Sequence, residues 1–222
     1  MDERDTQNFS SSFIDIRQLT PEDETRLRRE IEDVAGQAWF IIHPFYDSDL
    51  ILRGSDTEEI EKYIKYTTLV RNILHSPKHI IFIFEEKEAI NSTKTKLQTF
   101  GVNTPICFVP TDMANPTPCI SSDKLNNSMR VKREWQYLTQ KMFELGVRKI
   151  FLGGSLYGFD HRGRPEGCVA IANKQLVKRG FQTILTHACY PDSHPNSLIP
   201  SIYMELPPKM SGSSVRPNSD PI

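Results

Sequence analysis

Three times in this chain a helical stretch ends in glycine, an apolar residue follows, and a run of strand-forming residues begins a few positions later. The copies are LQTFGVNTPICFVP, MFELGVRKIFLGG and LVKRGFQTILTHA. Gly101, Gly146 and Gly180 fit the left-handed position that closes a helix, and Val102, Val147 and Phe181 then fold back on the preceding turn. A chain that repeats this connection alternates helices with strands, and such alternation gives parallel strands joined by right-handed crossovers.

The remaining elements fit the same pattern. In LTPEDETRLRREIEDV, Thr20 can cap a helix, Pro21 suits its first position and acids fill its first turn, ahead of an apolar stripe of Leu27, Ile31 and Val34. Asp56 and Glu59 have capping-box spacing before a second helix, in which Ile60, Tyr63, Ile64, Thr67, Val70 and Leu74 recur at helical intervals. AWFIIHPF and HIIFIFEE are almost wholly apolar, as strands buried on both faces of a parallel sheet are. Strands are expected at 38–43, 79–84, 105–109, 148–153 and 182–187. The fold class is therefore α/β, a three-layer α/β/α sandwich with a mainly parallel, Rossmann-like sheet of five strands in the order 3-2-1-4-5. Residues 1–12 and 207–222 are expected to be disordered tails around a single domain at 13–206.

Composition narrows the function classes. There are 27 basic and 28 acidic residues, and no clustered positive face that would point to nucleic acid or an anionic membrane. Four cysteines, at 107, 119, 168 and 189, are too scattered for a disulfide framework, and no CxxC pair suggests structural zinc. The polar, acidic start does not resemble a secretory signal, and no apolar run reaches the ~20 residues that span a bilayer. The expectation is a cytoplasmic protein with a small-molecule ligand or substrate, no cofactor and no metal, compatible with a homo-oligomer.

In a sandwich of this kind ligands bind beyond the carboxyl ends of the strands, where the strand order reverses. Those ends are richly polar here. The first strand is followed by His43, Tyr46, Asp47 and Asp49, the second by Glu85 and Glu86, and the third by Thr111, Asp112 and Cys119. The fifth runs into His187, Cys189, Asp192 and His194. The opposite loops are minimal. His43 can act as a base near neutral pH or simply bond backbone at a strand end. A metal set drawn from His43, Asp47, Asp49, His187 and Asp192 lacks diagnostic spacing.

The fourth strand ends in Gly153-Gly154-Ser155, where paired glycines let a backbone approach a ligand and Ser155 can bond a phosphate or carboxylate. YGFDHRGRP then reads as a hairpin turning at Asp160–Gly163, with His161 and Arg162 at its tip. Cys168 follows, in the first turn of the next helix. A helix N-terminus favours a thiolate, and free N–H groups there can hold an oxyanion. The competing reading is a core residue, since Cys168, Ala172 and Leu176 share one helix face.

Around Cys168 the chain resembles the isochorismatase-like cysteine hydrolases, the group that includes nicotinamidases. The resemblance rests on GCVAIANKQLVKRGFQTILTHA: a helix opening with Cys168-Val169, closing at Gly180-Phe181 and leading into a strand. It covers about 45 residues, Leu145 to Cys189. It implies a three-layer α/β sandwich and an amide- or ester-type hydrolase in which Cys168 is the nucleophile, with Lys124 roughly in the place of the family's lysine. The family ends its first strand in a basic Asp with Gln two residues later, where this chain has His43 and Phe45, and its loop before the cysteine is shorter. The expected site therefore has Cys168 as nucleophile, His43 or Asp47 as base, Lys124 for charge stabilisation, and a pocket shaped by Gly153, Gly154, Ser155, Thr111, Asp112 and His187. The alternatives are a non-catalytic ligand-sensing or partner-docking module, and a phosphate- or nucleotide-handling enzyme using the Gly153-Gly154-Ser155 loop.

Overall fold

Helix α1 (Pro21–Asp33) begins with a complete capping box: Thr20 Oγ1 accepts from the Asp23 N–H at 3.1 Å, and the Asp23 carboxylate accepts from the Thr20 N–H. Leu27 and Ile31 are buried. Helix α2 (Thr57–Leu74) is capped by Asp56, whose side chain accepts from the Glu59 N–H at 2.9 Å. These are features of the computed structural model, which describes residues 13–45, 56–75, 80–102, 105–110, 124–159 and 162–191. Both expected tails lie outside the described residues.

The other elements are β1 (Phe13–Asp15), β2 (Gln37–Ile42), β3 (Ile80–Glu85), α3 (Ile90–Thr99), β4 (Ile106–Pro110), α4 (Lys124–Glu144), β5 (Lys149–Phe159), β6 (Pro165–Glu166), α5 (Cys168–Lys178) and β7 (Gln182–Pro191). The fold is α/β, with a mostly parallel seven-stranded sheet. The five expected strands stand as β4-β3-β2-β5-β7. Two additions make the order differ from the expected one. β1 pairs parallel to β4 at the outer edge, and β6 pairs antiparallel with the far end of β5.

Side-chain alternation along the strands divides the core in two. Phe40, Ile42, Phe82, Phe84, Cys107 and Val109 face one layer, with Leu27 and Ile31 of α1, Trp135 and Met142 of α4, and Val169 and Leu176 of α5. Ile41, Ile81, Ile83, Ile106 and Phe108 face the other, against Tyr66 and Val70 of α2 and Leu97 of α3. Helices thus cover both faces.

The three glycine connections share one hydrogen-bond pattern. Val102, Val147 and Phe181 donate backbone N–H groups to Leu97, Met142 and Leu176, while the preceding glycines donate to Gln98, Phe143 and Val177. This is the Schellman closure. Gly101, Gly146 and Gly180 have φ of 65°, 94° and 89°. Helix α1 closes the same way, Gly36 N–H to Ile31 and Ala35 N–H to Glu32, but its left-handed residue is Ala35, at φ 54°. The sequence signal is hidden there because the glycine falls one position late.

Gly154 meets a harder constraint. At φ 115°, a Cβ on it would lie 2.0 Å from the Ile42 carbonyl oxygen and 2.3 Å from the Ile42 nitrogen. A Cβ on Gly153 would lie 2.6 Å from the Ala188 oxygen. The space a side chain would need at both glycines is filled by neighbouring protein backbone. No helix among the described residues is long and apolar enough to cross a membrane.

The two kinds of glycine differ in what alanine should cost. Gly101 has nothing within 4 Å of its would-be Cβ, so Gly101→Ala should lose only the left-handed penalty, about 1–2 kcal/mol. Gly154→Ala must also displace strand β2 and should lose at least ~3 kcal/mol. Urea unfolding midpoints of the two variants test the difference.

Candidate functional site

The parallel register of β2 and β3 pairs Ile42 with Phe84, so the next residue of each strand, His43 and Glu85, emerges side by side at the carboxyl edge. Strand β2 stops at Ile42, and His43 takes φ 44°. A histidine in that region costs ~1–3 kcal/mol and persists only where its surroundings enforce it. Its backbone N–H donates to the Phe84 carbonyl at 2.8 Å. The next carbonyl, that of Pro44, accepts from the buried Tyr66 hydroxyl at 3.1 Å, and Tyr66 in turn accepts from Ser155 Oγ at 3.3 Å. Helix α2 and strand β5 therefore both hold the turn at His43 in place.

The His43 ring is 7% exposed and Glu85 is 5% exposed. His43 Nδ1 lies 3.0 Å from Glu85 Oε1. That oxygen also accepts the Glu86 N–H at 3.0 Å, and Glu85 Oε2 accepts the Thr93 hydroxyl at 2.7 Å. The Cys168 side chain lies beside the imidazole, close enough to raise its basicity. Burial pulls the basicity of His43 down. The Cys168 side chain, the Glu85 hydrogen bond and the negative charge beside the ring outweigh it, and push the histidine up to about 9.

Cys168 is delivered by the hairpin. Gly158 and Phe159 of β5 pair with Glu166 and Pro165 of β6, Gly167 turns at φ 89°, and α5 starts at Cys168 with no side chain capping it. The sulfur-bearing residue is half-buried and packs against the core. Ala172 and Leu176, on the same helix face, are buried. Core contact and contact with His43 thus coexist, because Cys168 sits at the terminal position of the core face. The first turn of α5, where Cys168 sits, has no side-chain cap for its N–H groups.

The expected residues divide as follows. Cys168 and His43 come together. Gly153 and Gly154 are packed against backbone, and Ser155 is buried with its hydroxyl donated to Tyr66, so it is not presented to a phosphate. Lys124 is the first residue of α4 and His187 lies in β7. Asp47, Thr111 and Asp112 lie outside the described residues, as do Tyr46, Asp49, Cys119, Asp192 and His194. Cys189 lies on β7, and burial pushes its thiol up to about 12. Among the described residues no group of three or more His, Cys, Asp or Glu side chains is arranged to hold a metal ion.

Glu85 is the member that sequence reasoning left without a role. Its signal was a strand-end acid one position past the apolar run, aligned with a strand-end histidine on the neighbouring strand. Comparison with protein-family models, with curated proteins and with solved structures gave no match.

Two measurements follow from this geometry. A histidine raised from its ordinary 6.5 to about 9 stabilises the fold fully below pH 6.5, and that contribution is lost as pH rises through about 9. The stability difference between the wild type and His43→Asn should shrink over that window in urea unfolding at stepped pH. Tyr66→Phe, which removes the donor to Pro44 and the acceptor for Ser155, should lower stability by about 1–3 kcal/mol in the same assay.

Proposed function

We propose that this protein is a hydrolase of amide, ester or related carbonyl bonds, acting through a Cys168 nucleophile, a His43 proton carrier and a Glu85 orienting carboxylate. The observation that carries the reading is that one buried imidazole is hydrogen-bonded to the Glu85 carboxylate and has the Cys168 side chain beside it. A nucleophile, a base in reach of it and a third group orienting the base form the constellation by which such sites are recognised on unrelated folds.

A neighbouring imidazolium and a helix N-terminus each favour a thiolate. The sulfur attacks the substrate carbonyl carbon, and the C–S bond forms as the carbonyl electrons move to oxygen. In this reading the N–H groups of the first turn of α5, which carry no side-chain cap, receive that oxyanion. Collapse expels the amine or alcohol, which takes the His43 proton. Neutral His43 then accepts a proton from water as the hydroxyl attacks the thioester, and the C–S bond breaks to release the acid.

The sheet order and the position of Cys168 at the start of α5 support an isochorismatase-like scaffold. His43 in place of that family's basic Asp makes the chemistry here closer to a Cys–His–Glu site, with Lys124 as the residue the resemblance offers for charge stabilisation. The phosphate-loop alternative loses its support in the closed environment of Gly153, Gly154 and Ser155.

Iodoacetamide labelling at pH 6, with the labelled residue located by mass spectrometry, tests the reading. Cys168 should react at least about tenfold faster than a free thiol, while the buried Cys107 and the half-buried Cys189, whose thiols burial pushes up, stay unlabelled. Against a panel of activated esters and aryl amides, Cys168→Ala should abolish turnover and His43→Ala should lower it by about 10²–10⁴-fold. Labelling of Cys168 no faster than a free thiol, or full turnover by Cys168→Ala, would remove the basis for the proposal.

A further inference from the structure

A threonine inside a helix ordinarily returns its hydroxyl to the carbonyl four residues back. Thr25, Thr67, Thr68, Thr95, Thr99 and Thr139 all do this. Thr93, in the first turn of α3, does not. It is 3% exposed, and its hydroxyl donates out of the helix to Glu85 Oε2 at 2.7 Å. Glu85 Oε1 is shared between His43 Nδ1 and the Glu86 N–H. Each carboxylate oxygen thus has its own partners, and the Thr93 bond restrains rotation of the carboxylate about its last side-chain bond.

We propose that Thr93 is a positioning residue for the Cys168 site: its hydroxyl locks the Glu85 carboxylate so that Oε1 holds the His43 ring beside the Cys168 side chain. The proposal rests on Cys168 and His43 acting as the reactive pair. Among the described residues, Glu85 from β3 and Cys168 from α5 are titratable groups acting on His43, and α3 adds to this cluster an uncharged donor. Thr93 acts through Glu85, so its removal should change how the histidine and thiol behave with pH, an effect that loss of packing alone does not produce.

The test compares wild type, Thr93→Val and Thr93→Ser, following the second-order rate of Cys168 alkylation by iodoacetamide from about pH 5 to about pH 10, which spans the histidine and thiol ranges. Valine keeps the shape and removes the donor. It should slow alkylation at neutral pH about tenfold, the scale of one hydrogen bond to a charged group, and change the pH dependence of the rate. Serine keeps the donor and should retain the wild-type rate and curve. If valine leaves both unchanged, or serine falls as far as valine, the proposal is overturned. Thr93→Ala, which is smaller than threonine, carries the same expectation should the valine variant not fold. Wild-type Cys168 reacting as a free thiol would instead defeat the hydrolase reading. In that case the His43 ring titration followed by NMR decides for Thr93: a midpoint displaced in the valine variant and restored by serine supports it, and an unchanged midpoint rejects it.

Discussion

A carboxylate buried at the end of a parallel strand is tolerated only if its charge is met by hydrogen bonds, because an unpaired one costs several kcal/mol or more. Among the described residues Glu85 has three, and they come from three places: the His43 ring beyond β2, the Thr93 hydroxyl of α3 and the N–H of the next residue of its own chain. The pairing of β2 with β3, the docking of α3 and the turn after β2 are thereby tied to one side chain. His43 is in turn tied to α5 through Cys168. A displacement of any one element leaves a buried charge or a buried imidazole short of a partner.

The strain at His43 is held from the far side of the same network. Tyr66 reaches from α2 to the Pro44 carbonyl, and Ser155 reaches from β5 to Tyr66. Burial raises the Tyr66 phenol well above its usual range, so it stays a neutral donor wherever the fold survives. The central strand β2 thus carries its terminal histidine between a charged clamp on one side and a neutral one on the other.

What the sequence made legible was governed by local rules. Thr20, Pro21, Asp56 and the three glycine exits satisfy or close helix ends through bonds to residues a few positions away, and those were read correctly from spacing. The fold class followed, because alternating elements leave few topologies. Strand β1 was missed: three residues at a sheet edge, of which only Ile14 is buried, leave no periodic trace. Glu85 could be placed at a strand end but not given a partner, since its role depends on the register between two strands. Gly153-Gly154 showed that something approaches closely, but a glycine pair does not say whether that is a ligand or, as here, the backbone of Ile42 and Ala188. For Cys168, core residue and reactive residue were weighed as rivals, while the first position of a buried helix face allows contact with both the core and His43.

The void of side chain at Gly154 has a wider consequence. Ile42, the residue immediately before His43, occupies the volume that any β-carbon at position 154 requires, so the end of β2 can advance to the carboxyl edge only beside a glycine. The histidine and the glycine are 111 positions apart in the chain yet form a single geometric unit. A side chain at position 154 would therefore be felt first at the histidine, through the strand end that carries it.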